Sequence, residues 1–268
     1  MYSDQLSSVL RTALQPMCRF RQFADIKEGK GKSAGDRIFW NVYSDVETAG
    51  AVLTEGTAIP ETKFTITQEN LIVTETGNSV PFTSKLDDLS KHSVTEVIHK
   101  VLKNDARRVL DGLAHDQWDL TPLSVRPAGV GADSTTDIVL EVGGPTVANN
   151  AALTTDHVKK ISDLMKERSI TPYDGEHYCA IARPFALRAM KDELEDIYKY
   201  VDQGFSLIYK GEIGRYEGIR FVEQTSVASE GWATGLSDAV YFFGADTVAE
   251  GVVIPEEVRG WESCHASR

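Results

Sequence analysis

His92 and His99 lie seven residues apart, which puts two imidazoles on roughly one face if the segment is helical. A metal site needs at least one more ligand, and the sequence has no H-E-x-x-H run and no clustered Cys and His. These two histidines read better as polar surface residues. His177, Tyr178 and Cys179 place a base two residues from a thiol. A nucleophilic pair needs side chains that converge in space, which this stretch of a strand does not provide by itself. Gly211, Gly214 and Gly218 have neither the dinucleotide nor the P-loop spacing. They also fall between a helix and a strand, the reverse of the strand-to-helix context in which backbone amides cradle phosphate, so they read as tight turns. Asp87-Asp88, Glu193 with Glu195, and Glu256-Glu257 read as helix-terminal or solvated charges. No G-x-S-x-G elbow is present. The expectation is no catalytic, cofactor-binding or metal residue, and no enzyme.

The elements around these residues are more informative. Residues 1–37 hold a short amphipathic helix (Leu6, Val9, Leu10, Ala13, Leu14) ended by Pro16, then a glycine-punctuated basic stretch. Residues 38–85 read as extended. Ile38 to Tyr43 is aromatic and β-branched, and Phe64, Ile66 and Gln68 alternate with Thr65, Thr67 and Glu69. Gly77-Asn78 is expected to turn a hairpin between Leu71–Thr76 and Ser79–Thr83. This ribbon is too poor in apolar residues to bury a core alone. Residues 86–118 carry an apolar stripe (Val94, Val97, Ile98, Val101, Leu102, Ala106, Val109, Leu110, Leu113) that predicts one helix about 50 Å long. From 125 to 245, strands at Ile138–Val142, Tyr178–Ala182, Ile219–Val222 and Val240–Phe243 alternate with helices capped at Thr154 or Thr155 and opened by Pro184. The fold class is α+β.

Charge sharpens the picture. The chain has 268 residues, 28 basic and 40 acidic, for a net charge of −12. That excludes a protein that coats nucleic acid through phosphate contacts along its length. The charge is uneven: residues 1–37 carry seven basic against four acidic residues, so the rest of the chain is strongly acidic. Cys18, Cys179 and Cys264 are too few and too scattered for a disulfide framework and read as free thiols of a reducing compartment. The sequence has no signal-peptide core and no apolar run of the roughly 20 residues that span a bilayer. The expected chain is soluble and stays in the compartment where it is made. A basic arm, a ribbon without its own core, a spine helix and an α+β body together suggest a subunit stabilised by neighbours.

In that order of parts the sequence resembles the major capsid proteins of tailed double-stranded DNA bacteriophages, within them the N4-like branch. The carrying stretches are LTEGTAIP at 53–60, TSKLDDLS at 83–90, GEIGRYEGIRFVE at 211–223, FFGAD at 242–246 and PEEVR at 255–259. The resemblance implies the shell fold shared with encapsulins and herpesvirus capsid floors. Residues 1–37 would be an N-terminal arm and 38–85 an extended β-hairpin E-loop. Residues 86–119 and 246–268 would be a peripheral domain with the spine helix, and 120–245 an axial domain. It implies hexamers and pentamers of an icosahedral head around packaged DNA, with scaffolding, portal and decoration proteins as partners. The head would be assembled in the host bacterial cytoplasm, with the virion as final location and no membrane partner. Family members continue past PEEVR with further peripheral strands, where this chain has Gly260–Arg268, so that sheet is expected to be completed differently or by a tail from a neighbour. Candidate inter-subunit contacts are Arg11, Arg19 and Arg21 of the arm, Trp40, Tyr43, Glu55 and Phe64 of the ribbon, and Arg215 and Glu217 of the glycine-rich stretch. The arm would pair with acidic surfaces of neighbours, or else meet DNA or a scaffold. The alternatives are an encapsulin-like compartment and a stand-alone α+β enzyme.

Overall fold

A computed structural model describes residues 18–27, 37–44, 46, 52–56, 58–59, 61–90, 93–121, 123–127, 137–142, 151–198, 214–227, 229–230 and 237–253. The chain divides into two units, Met1–Asp25 with Asn78–Val248, and Ile26–Gly77 with Ala249–Arg268.

The first unit is built on a four-stranded mixed sheet of order β11-β6-β8-β7, comprising Val240–Phe243, Tyr178–Ala182, Ile219–Glu223 and Arg215–Tyr216. β6 runs parallel to β8 and antiparallel to β11. All five residues of β6 are buried, as a central strand covered on both faces requires. Its alternate residues divide between two cores. Tyr178 and Ala180 pack with Val158, Ile161 and Met165 of α3 (Thr155–Glu167) and with Met190 and Leu194 of α4 (Arg188–Tyr198). Cys179 and Ile181 pack with Phe20, Trp118, Val222 and Phe243 on the other face. Thr154, not Thr155, caps α3. Its hydroxyl accepts the His157 N–H, and the His157 ring accepts the Thr154 N–H in return. Pro184 opens a turn rather than the helix, and α4 begins at Arg188.

The spine helix is shorter than the one helix expected over residues 86–118. α1 (Ser84–Leu89) is capped by the Thr83 hydroxyl and stops at Ser90, whose backbone is extended. α2 (Val94–Asp119) starts afresh with the Ser93 hydroxyl accepting the Glu96 N–H. Its 26 residues span about 39 Å. The residues α2 buries are Asp111, His115 and Trp118, not the stripe. At about 3.6 residues per turn, Val109 and Leu113 lie on the opposite side, and both are exposed. Against the buried side lies a 3-10 helix, Phe20–Phe23. Phe20 is fully enclosed by the rings of His115, Trp118 and Tyr241. The Arg21 N–H donates to Asp111 at 3.1 Å, and Gln224 donates to the other Asp111 oxygen at 2.7 Å. This unit also holds the antiparallel pairs β4–β5 (Leu123–Pro127, Ile138–Val142) and β9–β10 (Ser229–Glu230, Ser237–Asp238).

The second unit is a two-stranded ribbon, β2 (Arg37–Tyr43) against β3 (Ile66–Ile72), with a short pair of β1 (Asp25–Lys27) and β12 (Ala249–Gly251). The expected hairpin at Gly77-Asn78 is not formed. Leu71 and Ile72 pair with Ile38 and Arg37 instead, so the ribbon closes through residues 44–65. Asn78, freed from a turn, donates to Asp105 at 2.7 Å and accepts the Ser79 N–H. The helix expected before Pro16 and the stretches 199–213 and 254–268 lie outside the described residues.

Candidate assembly surface

In the ribbon, register sorts the side chains into two faces. Ile38 opposite Leu71, Trp40 opposite Glu69, and Val42 opposite Thr67 share one face. Phe39 opposite Asn70, Asn41 opposite Gln68, and Tyr43 opposite Ile66 share the other. Only the base of the first face is covered. Gly251 approaches so closely that a Cβ there would lie 2.6 Å from Ile38 and 2.9 Å from Leu71, and Ile38 is buried. Towards the tip none of the described ribbon residues is covered: Tyr43 is 78% exposed, Phe64 63% and Val52 97%. Tyr43, Ser44, Val46 and Phe64 line a shallow, open depression. The backbone is nevertheless held in place. Ser44 and Thr65 exchange bonds at 2.9 and 3.2 Å, and the Thr67 hydroxyl donates to the Val42 carbonyl.

Of the remaining candidates, Arg19, Arg21, Arg215 and Glu217 fall in the first unit. Arg19 precedes the 3-10 helix and is half-buried, and Arg21 lies within it. Arg215 and Glu217 belong to the β7–β8 hairpin, whose two-residue turn has Glu217 at φ 50° and Gly218 at φ 76°. Both angles are positive, as this tight hairpin turn demands. The glycine-rich stretch is thus a turn where it is described. Glu55 is exposed, and Arg11 and Gly211 lie outside the described residues. Tyr43 and Phe64 are brought together, as are Arg215 and Glu217; Trp40 sits at the ribbon base.

Among the described residues the chemical alternatives find no centre. Among the described residues no three His, Cys, Asp or Glu gather to hold a metal ion. Burial pushes the Cys18 and Cys179 thiols up, away from the nucleophilic thiolate. His177 uses its ring on Arg215 rather than on Cys179. Asp137 is held below the ordinary carboxylate range by its hydrogen bond from Lys160, and Lys159 is raised by its bond to Asp156, as surface pairs are. His99 is exposed. Sequence reasoning missed the burial of His115 and His157, of which only the second had a local signal, the Thr-x-x-His of its cap. No helix among the described residues is long and apolar enough to cross a membrane.

No family model matches the chain, and no curated protein matches it. Solved structures do. The chain superposes on the capsid of the cyanophage P-SCSP1u with a TM-score of 0.60 at 12% identity, over 86% of this chain and 70% of that one. The fold is that of a phage capsid protein. The capsid of Ralstonia phage GP4 matches with a TM-score of 0.56 at 12% identity, over 91% and 79% of the two chains. The mature capsid of bacteriophage PhiM1 matches at 0.54 and 14%, over 88% and 71%. These matches bear out the tailed-phage capsid fold and its α+β class, and do not single out the N4-like branch.

Proposed function

We propose that this chain is a structural subunit of an icosahedral phage head, forming hexamers and pentamers around packaged double-stranded DNA. The observation that carries the reading is the capsid fold over most of the chain, joined to a ribbon whose apolar side chains its own unit leaves uncovered. In this reading residues 38–85 are the E-loop, lying on a neighbouring subunit and burying Trp40, Tyr43 or Phe64 there, with Glu55 as a further contact. Residues 1–37 are the arm, whose Arg11, Arg19 and Arg21 pair with acidic surfaces of adjacent copies. The spine helix belongs to a peripheral domain (86–119, 246–268) and residues 120–245 to an axial domain. Each contact can be weak because closed symmetry repeats it many times. Scaffolding, portal and decoration proteins complete the assembly, in the cytoplasm of a bacterial host, and the mature location is the virion. DNA is contents rather than ligand, which suits an acidic body.

The test is electron microscopy of the full-length chain, expressed alone and beside its neighbouring genes. Shells are expected from the intact chain. A chain lacking residues 45–70 should keep its folded first unit and form none. Shells from that deletion would overturn the role given to the ribbon, and a stable monomer from the intact chain in both settings would overturn the shell reading.

A further inference from the structure

Arg215 and Arg220 stand directly opposite each other across β7 and β8, and both are exposed. Like charges in facing positions destabilise a strand pair, so the fold carries this pair at a cost. The turn beside them is fixed. Glu217 and Gly218 hold positive φ, and the Glu217 carbonyl accepts a 2.9 Å bond from Ser162 of α3, a hydroxyl almost wholly buried. The Arg215 guanidinium is aimed as well, because it bonds the His177 ring at Nε2. A guanidinium can only donate, so Nε2 accepts and the ring proton sits on Nδ1. Neither arginine forms an ion pair among the described residues, although Asp174 and Glu176 stand nearby. Asp174 is engaged by the His177 N–H at 2.8 Å.

We infer that Arg215 and Arg220 form a carboxylate-binding patch between two copies of this chain, with His177 as the residue that positions Arg215. The inference rests on the shell reading. A second copy is the fitting occupant because the chain carries a net charge of −12 and so offers carboxylates in excess. An oriented guanidinium fork matches a carboxylate in two parallel bonds. Nucleic acid is the poorer fit, since phosphate recognition gathers cations without interposed acids, and Asp174 and Glu176 adjoin this patch.

Arg215→Glu is the informative variant of the full-length chain, because it replaces the cross-strand repulsion with an attractive pair. Its melting temperature should equal or exceed the wild-type value. Its yield of large particles in sedimentation velocity should fall at least about tenfold, because an attractive charge-assisted contact becomes a repulsive one at every copy. Arg215→Lys, which keeps the charge and loses the fork, should fall between the two. If Arg215→Glu melts lower than wild type, Arg215→Gln decides, with lost particles at wild-type melting supporting the patch. Wild-type particle yield from folded Arg215→Glu or Arg215→Gln overturns the patch and leaves the shell reading standing. Absence of any assembly by the wild-type chain removes both. A patch that retards a 30-base-pair duplex in the wild type but not in Arg215→Glu, with particle formation unchanged, is a phosphate site and overturns the carboxylate assignment.

Discussion

β6 and β3 are both strands, yet β6 buries every one of its five residues and β3 leaves six of seven exposed. The contrast is written in their composition. Tyr178–Ala182 is continuously apolar, so either face gains by burial and the strand settles between two helical layers. Ile66–Ile72 mixes Thr, Gln, Glu and Asn with isoleucine and leucine, so it can bury little and is held by its hydrogen-bond ladder to β2. The first strand is stabilised from within the chain. The second is organised from within but has its apolar side chains left for another surface. Under the proposed shell reading, stability and assembly would fall to different segments, and substitutions should separate them.

The largest effect should come from Phe20, fully buried among His115, Trp118 and Tyr241. Phe20→Ala should cost about 3–5 kcal/mol in urea unfolding of the unassembled chain, through lost burial and the cavity left behind. Tyr43→Ala, at 78% exposure, should stay within about 0.5 kcal/mol of wild type in the same measurement. It should instead lower particle yield. Equal destabilisation by the two substitutions would erase the distinction between the regions.

The same contrast explains what the sequence made legible. The elements with their own local chemistry were readable: the apolar run of β6, the Thr154 cap, the strand from Ile38 to Tyr43, and the tight turn before Ile219. The choice of partner was not. Gly77-Asn78 has the composition of a hairpin turn, but β3 is claimed by β2 and the Asn78 amide by Asp105, more than twenty residues away. The stripe on α2 predicts the helix, while the residues the helix buries are Asp111, His115 and Trp118. Periodicity shows that one side is apolar, and it does not say which side meets the rest of the chain. Asp111 is buried because Gln224 and the Arg21 backbone satisfy it, a long-range arrangement with no local signature. The candidate contacts rest on residue types in a basic arm, an extended ribbon and a glycine-rich turn, and their role belongs to the proposed function. The facing arginines depend on a strand register that sequence spacing alone does not fix.

Two glycines sharpen the comparison at intermediate size. A Cβ on Gly244, in the first unit, would lie 2.1 Å from the Thr171 carbonyl oxygen, which also accepts the Ala245 N–H at 2.9 Å. Backbone has to move and that bond has to break, so Gly244→Ala should cost about 3 kcal/mol, the upper part of the overpacking range. A Cβ on Gly251, in the second unit, would press on the ends of the Ile38 and Leu71 side chains, with the Trp40 ring in ordinary contact. Those can rotate aside, so Gly251→Ala should cost about 1 kcal/mol. Thermal melts of the two variants check the order, and a larger loss from Gly251→Ala would mean that the ribbon base is packed as tightly as the central sheet.

The smallest effect concerns the loop that aims Arg215. Asp174 is held below the ordinary carboxylate range chiefly by the His177 N–H it accepts, with a smaller contribution from the charge of Arg215. A carboxyl whose folded value is depressed contributes stability above its unfolded value and loses it as the pH falls through the folded one. Asp174→Asn keeps an oxygen for the His177 N–H but removes the charge. The wild type should melt higher than Asp174→Asn at neutral pH, and the gap should close on acidification through and below the ordinary carboxylate range. Asp174 is fully solvated, so the gap should be small. A gap that is constant from neutral to acid pH would show that the carboxylate charge does not hold this loop. In that case the orientation of Arg215 would rest on the His177 ring alone.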